Sequence, residues 1–389
     1  MKYDFDRIVE RRDTYSVKYL LPRGKADDVL PLWVADMDFQ SPPCVIDALV
    51  KQSRHGIFGY SDIDDKYFDT LQNWFARRFD WNIERNWLVN TPNIVSAIHI
   101  AIRALTNQND GVLIQQPVYH PFASAIRQTG RKLVVNELLS ENSGYAIDFA
   151  DFERKIIAHN VTMFILCNPH NPVGRVWRRE ELIKMGELCL RHGIIVISDE
   201  IHQDFIYEGH RHLVFAKLNP AYRDLTITCT SPSKTFNLAG LQLSNIFIAN
   251  QRLREQFKQE YARCGLSQPG IMGIVACKAA YEDGDDWLQQ LLAYLQGNVS
   301  FLQEFLLSRI PQVKLIAPEG TYLAWLDFRN LKLSGRELNE MILHKAKLWL
   351  NDGPMFGAGG EGFQRMNIAC QRAVLQEALE RLQRALSEI

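Results

Sequence analysis

The chain has 389 residues, more than one hydrophobic core ordinarily holds, so two domains are expected. Its composition is that of an ordinary globular protein, and 44 basic against 45 acidic residues leave a net charge of −1, which argues against nucleic acid or an anionic membrane as partner. No apolar run reaches bilayer length, the charged start M-K-Y-D-F-D-R-I-V-E-R-R-D lacks the apolar core of a signal peptide, and the seven cysteines form no C-x-x-C pair, so a reduced, cytoplasmic protein without disulfides or a zinc ribbon is expected.

Along the chain, residues 1–45 form a segment expected to pack with a small C-terminal domain. From Trp87 to Ala249, short apolar runs alternate with helical patterns. The runs are Trp87–Asn90, Val112–Gln115, Lys132–Val135, Met163–Cys167, Ile194–Ser198, Leu225–Cys229 and Asn245–Ala249. Between the first two, Ile94, Ile98, Ala101, Ile102 and Leu105 recur at helical spacing. A second amphipathic pattern spans Glu180–His192, with Gly193 placed as its stop. This alternation predicts an α/β fold with a mainly parallel sheet covered by helices. Cys167 and Cys229 fall inside runs and are expected to be buried thiols. Residues 251–306 predict long helices, Thr321–Phe328 an extended run, and Leu375, Leu379, Leu382 and Leu386 one face of a last helix. The expected division is a large domain over 46–287 and a small α+β domain over 288–389.

The reactive residues follow the runs. T-P-N-I-V stands at 91–95, Q-P-V-Y-H-P-F at 116–122, N-P-H-N-P-V-G at 168–174, D-E-I-H at 199–202 and S-P-S-K at 231–234. In a parallel sheet these all emerge at one edge, where α/β proteins keep ligands. Lys234 is the most informative of them. A lysine amine can condense with a carbonyl cofactor once its surroundings lower its pKa; an exposed turn lysine is the alternative. The pattern S-x-S-K-T-F at 231–236 resembles the cofactor-lysine signature of the class I/II aminotransferase superfamily, which uses pyridoxal 5'-phosphate (PLP).

Each cluster suits a part of that cofactor. A pyridine nitrogen kept protonated needs a carboxylate, and Asp199 is the candidate; a helix cap is its other reading. A buried acid there is expected to have a cationic partner. Asn171 can donate to the phenolic oxygen or serve only as a turn residue between prolines. Tyr119 can stack on the ring, a contact worth about 0.5–1.5 kcal/mol beyond burial, or be a core aromatic. Phosphate suits the helix start at Asn93 and Ile94, with the hydroxyls of Ser231 and Ser233 as added donors, although serines there are also ordinary turn residues. Arg365, opening the extended run of F-Q-R-M-N-I-A-C, either grips a substrate carboxylate or lies on the surface.

With these residues in view, the chain resembles the MalY/PatB family of cysteine-S-conjugate β-lyases, within the aspartate-aminotransferase fold. The likeness runs nearly end to end, through W-V-A-D-M-D-F at 33–39, F-G-Y-S at 58–61, D-E-I-H, S-P-S-K-T-F-N-L-A-G at 231–240 and G-T-Y-L-A-W-L-D-F at 320–328. It implies that Lys234 carries the cofactor, with Asp199, Asn171 and Tyr119 around the ring and Arg365 on the substrate carboxylate. It also implies that Tyr60 reaches the phosphate of the neighbouring subunit in a homodimer. Two departures stand out. Gln242 occupies a position where many aminotransferases place a phosphate-binding arginine, and His202 replaces a cofactor-binding tyrosine. Asn93 stands where a glycine is common. The implied activity is cleavage of cystathionine or related cysteine thioethers to thiol, pyruvate and ammonia. An amino-acid aminotransferase, or an added regulatory protein-binding role, is the alternative.

Other readings are weaker. G-A-G-G-E-G at 357–362 satisfies G-x-G-x-x-G but follows no strand and opens no helix, so a flexible loop before Arg365 is expected instead. Asp199, Glu200, His202, Asp204, His210 and His212 lack metal-ligand spacing. The enzyme-like pattern begins with the first residues, so no added helix-turn-helix is expected.

Overall fold

A computed structural model describes residues 2–20, 28–141 and 144–388. Residues 1 and 21–27 of the expected N-terminal segment, residues 142–143, and Ile389 of the expected small domain lie outside the described residues. The strands are β1 (Leu30–Pro31), β2 (Leu88–Thr91), β3 (Gly111–Gln116), β4 (Lys132–Glu141), β5 (Gly144–Ile147), β6 (Val161–Cys167), β7 (Ile195–Asp199), β8 (Thr226–Thr230), β9 (Ser244–Ile248), β10 (Lys314–Ile316), β11 (Leu323–Asp327), β12 (Leu348–Trp349), β13 (Asn351–Asp352) and β14 (Phe363–Asn367).

Eight strands form the larger sheet in the order β2-β9-β8-β7-β6-β3-β4-β5. Strands β8, β7, β6, β3 and β4 are parallel, and β2 points the same way. Strands β9 and β5 are reversed. The run Asn245–Ala249 therefore forms a strand, but an antiparallel one. The connection from Thr230 to Ser244 holds two short helical turns rather than the crossover helix that parallel pairing needs. Strand β5, outside the expected runs, forms a hairpin with the far end of β4, where polar residues interrupt the apolar pattern.

The flanking helices follow local rules. Helix Ile94–Leu105 buries Ile94, Ala97, Ile98, Ala101 and Ile102 on one face. Its start is capped by the Asn93 side chain, which accepts from the Ser96 amide at 2.8 Å. Helix Arg179–Arg191 begins with the Glu181 carboxylate accepting from the Arg178 amide at 2.7 Å. It ends just before Gly193, whose φ of +66° would strain any side chain. The long helices Gln251–Arg263, Ile271–Asp283 and Asp285–Arg309 follow β9. The proposed division at 287/288 falls within the last of these.

The smaller sheet, β10-β11-β14-β13, is antiparallel, and helix Arg372–Leu386 buries Leu375, Leu379, Leu382 and Leu386 beside it. The N-terminal segment forms a separate two-stranded sheet beside it and bonds to the end of β14. Strand β1 pairs with β12, and Leu32 exchanges backbone bonds with Trp349 and Asn367. Phe5 sets its ring edge against Phe39 and Trp287. The stretch 357–362, expected to be a flexible loop, holds a helical turn at Ala358–Gly360 that packs against the preceding turn Gly353–Phe356. A Cβ on Gly353 would stand 1.9 Å from the Gly360 oxygen, so neither backbone has room for a side chain. All seven cysteines are free, with Cys167 and Cys229 buried. Among the described residues no helix is long and apolar enough to cross a membrane.

Candidate active site

One cavity of about 840 Å³ opens at the carboxyl ends of β2, β3, β6, β7 and β8. Nine residues singled out from sequence line it: Asn93, Ile94, Tyr119, Asn171, Asp199, His202, Ser233, Lys234 and Arg365. The first eight stand at or just past the ends of strands of the larger sheet. Arg365 comes from β14 of the smaller one, so the site lies where the two sheets meet.

Lys234 sits in the short helix Pro232–Thr235 immediately past β8. Its amine donates to the Ala35 carbonyl at 2.5 Å. Burial pulls its pKa down to about 8; Asp36 and Asp199 work against that fall, and Arg365 adds to it. Asp199 ends β7, buried, and accepts from the Ile201 amide at 3.2 Å. Burial pushes its carboxyl up to about 7, against the Ile201 amide and the Lys234 charge, which favour ionisation. The expected cationic partner is not found: among the described residues no protein cation forms an ion pair with Asp199. The carboxyl instead faces the cavity, where a ligand cation would reach it.

Arg365 is buried. Its guanidinium donates to the Asn171 side-chain oxygen at 3.0 Å, to the Trp33 carbonyl at 2.9 Å and to the Asn351 side-chain oxygen at 2.5 Å. It lies over the Phe356 ring, and its Nε is buried without a partner. Burial lowers its pKa to about 10. Neutral acceptors orient this cation and none cancels it, which leaves the charge for an anionic ligand. Asn171 spends its oxygen on Arg365, so its NH2 is the group left for the cavity. Its backbone oxygen accepts from the Tyr119 amide at 3.0 Å, which ties the two clusters together.

The phosphate end is weaker in charge. Asn93 uses its side chain to cap the helix, and the Ile94 and Val95 amides, first in that helix, have no intrahelical partner. Ser233 lines the cavity, whereas Ser231 does not. The Ser231 hydroxyl contacts the Leu243 carbonyl and the Ser233 hydroxyl, each at 2.7 Å, and caps the Lys234 helix. Gln242 is exposed and outside the wall. Tyr60 is fully exposed and also outside it. His202 is buried with Nδ1 unpartnered, and burial followed by the Lys234 charge pulls its pKa well below the usual value, so the ring is neutral.

The acidic and histidine residues near β7 are otherwise employed. Glu200 accepts from Ser198, the Phe215 amide and the His212 ring. Asp204 pairs with Arg78 and accepts from Thr235. Among the described residues no group of three or more His, Cys, Asp or Glu side chains could hold a metal ion.

Residues missed from sequence include Trp33 and Ala35, which act through backbone carbonyls and so give no side-chain signal. Asn351 and Ser244 also line the wall, the latter with a buried, unpartnered hydroxyl.

A partly buried lysine, a carboxyl without a cationic partner among the described residues, an oriented arginine and helix-start amides facing the cavity fit an aromatic aldehyde that carries a ring nitrogen and a phosphate. The fold with this site defines the class: an aminotransferase-like, PLP-dependent architecture. A family model described as aminotransferase class I and II matches residues 27–382. The chain is 43% identical over 387 residues to cystathionine beta-lyase PatB of Bacillus subtilis (strain 168), covering 99% of this chain and 100% of that protein. It is 32% identical over 391 residues to protein MalY of Escherichia coli (strain K12), with 100% of each covered. Cystalysin from Treponema denticola, whose crystal structure contains pyridoxal 5'-phosphate, matches with a TM-score of 0.97 and 38% identity, again covering 100% of each chain. The chain belongs to the aminotransferase class I and II family, in its MalY/PatB-like C–S lyase branch.

Proposed function

We propose that this chain is a carbon–sulfur β-lyase that converts cystathionine or other cysteine thioethers to thiol, pyruvate and ammonia, with pyridoxal 5'-phosphate as cofactor. The observation that carries the reading is that Lys234, partly buried, and Arg365, buried, face one cavity, and among the described residues neither forms an ion pair with a carboxylate. The likeness to PatB along nearly the whole chain supports the lyase branch.

In this reading Lys234 holds the cofactor, Asp199 its ring nitrogen, Asn171 its phenolic oxygen and Tyr119 its face. Ile94, Val95 and Ser233 meet the phosphate, and Tyr60 is assigned to the neighbouring site in a homodimer. When bound, the cofactor supplies an electron sink for the pair left at Cα. Arg365 grips the substrate carboxylate and orients the Cα–H bond. Lys234, with a pKa near 8, has enough neutral amine around pH 7–8 to take that proton. The Cβ–S bond then breaks with its electrons on sulfur, and the proton held by Lys234 passes to the departing thiolate. Water hydrolyses the three-carbon enamine to pyruvate and ammonia.

Incubation with L-cystathionine tests this directly. Pyruvate and free thiol should appear in equal amounts. Keto-acid-dependent amino transfer without thiol release would instead support the aminotransferase reading.

A further inference from the structure

The charged N-terminal stretch holds a buried cluster of charges. Lys18 is fully buried, and its amine lies 2.6 Å from an Asp38 carboxylate oxygen and 4.0 Å from Asp36. Arg11 bridges the same two acids at 2.6 Å each and donates to the Met37 carbonyl at 3.2 Å. Two cations thus clamp two carboxylates that flank Met37. A buried ammonium is tolerated only when paired in this way.

The clamped segment touches both reactive cations. The Ala35 carbonyl accepts from Lys234 at 2.5 Å and from the Tyr322 hydroxyl at 3.0 Å. The Trp33 carbonyl accepts from Arg365 at 2.9 Å. Flanking residues are tied to the same two elements. Asn237, three residues after Lys234, bonds the backbone of Met37 and Phe39. Asn367, two after Arg365, donates to the Val34 and Asp36 carbonyls at 2.6 and 2.5 Å. Trp33, Val34 and Ala35 also line the cavity, as does Val17 beside Lys18.

We propose that Lys18 is a positioning residue: with Arg11 it clamps the segment Trp33–Asp38, whose carbonyls set the separation between Lys234 and Arg365. This rests on the β-lyase reading of those two residues. Lys18 touches neither of them and acts through Asp36, Asp38 and the backbone between Trp33 and Asp38.

The test uses Lys18→Met, with Lys18→Met/Asp38→Asn as a second variant that leaves no unpaired buried acid if the first folds poorly. Apoprotein is treated with formaldehyde and cyanoborohydride from pH 7 to 10, and methylation at Lys234 is read by peptide mass spectrometry. The groups that set this titration are Asp36 and Asp199, which hold the proton, and Arg365, which repels it; the His202 ring and the Tyr322 hydroxyl face the same space. Loss of the clamp withdraws the Ala35 carbonyl and the Asp36 charge, so the half-point should fall by about half a unit or more. In the holoenzyme, KM for L-cystathionine should rise at least about fivefold as Arg365 loses its register. A merely structural role would lower thermal stability and leave the half-point in place. Folded variants with an unchanged half-point and KM within about twofold of the parent would overturn the proposal. If the parent protein cleaves no thioether, the lyase reading fails, and the half-point alone still decides the clamp.

Discussion

Two lysines, Lys18 fully buried and Lys234 partly buried at the cavity wall, are treated oppositely. Lys18 is matched by Asp38, and Arg11 completes a balanced cluster of two cations and two acids. Lys234, Asp199 and Arg365 face a cavity and have no such matching: the lysine has a carbonyl, the carboxylate one amide, the arginine neutral oxygens. Paired charges build structure. Unpaired ones, held in place by neutral dipoles, keep their free energy for a ligand. Around the cavity, Lys234 is pulled down to about 8 and Asp199 pushed up to about 7.

The contrast can be broken at several points. The largest effect is expected from Lys234→Ala: β-elimination turnover, read as pyruvate, should fall by at least about 10³-fold, while circular dichroism stays native. Retained turnover would end the assignment of Lys234. Arg365→Gln should raise KM for L-cystathionine on the order of 100-fold, the loss of a charge-assisted carboxylate contact worth about 2–3 kcal/mol. A similar fall in kcat with KM unchanged would place Arg365 outside substrate binding.

Stability sharpens the same contrast. Lys18→Met should cost apoprotein about 2–3 kcal/mol in denaturant unfolding, because part of the Asp36/Asp38 charge is left buried. Asp199 gives a pH signature. Its folded carboxyl titrates at about 7, above its ordinary 3.8. The folded chain therefore keeps a proton that the unfolded chain has lost, and stability from this group is full below about pH 4 and is lost as pH rises through about 7. The difference in unfolding free energy between parent and Asp199→Asn apoproteins should change by about 3 kcal/mol across pH 4.5–7.5, in favour of the variant at the higher pH. The smallest effect is Lys234→Met, which removes an unmatched, partly buried charge and should stabilise apoprotein at pH 7 by roughly 1 kcal/mol. Equal destabilisation by Lys18→Met and Lys234→Met would erase the contrast.

Much of this was legible in the sequence, for a physical reason. Reactive side chains follow strands, and parallel strands gather their ends, so T-P-N-I-V, V-Y-H-P-F, N-P-H-N-P, D-E-I-H and S-P-S-K point to one edge. Arg365 was legible only as a candidate, since nothing local tells that β14 turns it inward. The reversed direction of β9 was hidden because an apolar run carries no polarity. Ser231, expected as a phosphate donor, also caps the helix that presents Lys234, a local role its spacing allows equally. The clamp was the least visible part. Its four charged side chains lie within a charged stretch, and only long-range pairing shows that Lys18 is buried while exposed neighbours such as Arg12 are not.

The most direct measurement is borohydride reduction of the PLP-loaded protein followed by peptide mass spectrometry. A single phosphopyridoxyl group on the peptide bearing Lys234 is required if the unmatched lysine is the one that holds the cofactor. Label on Lys18 or another lysine, or no label at all in protein that binds the cofactor, would contradict it.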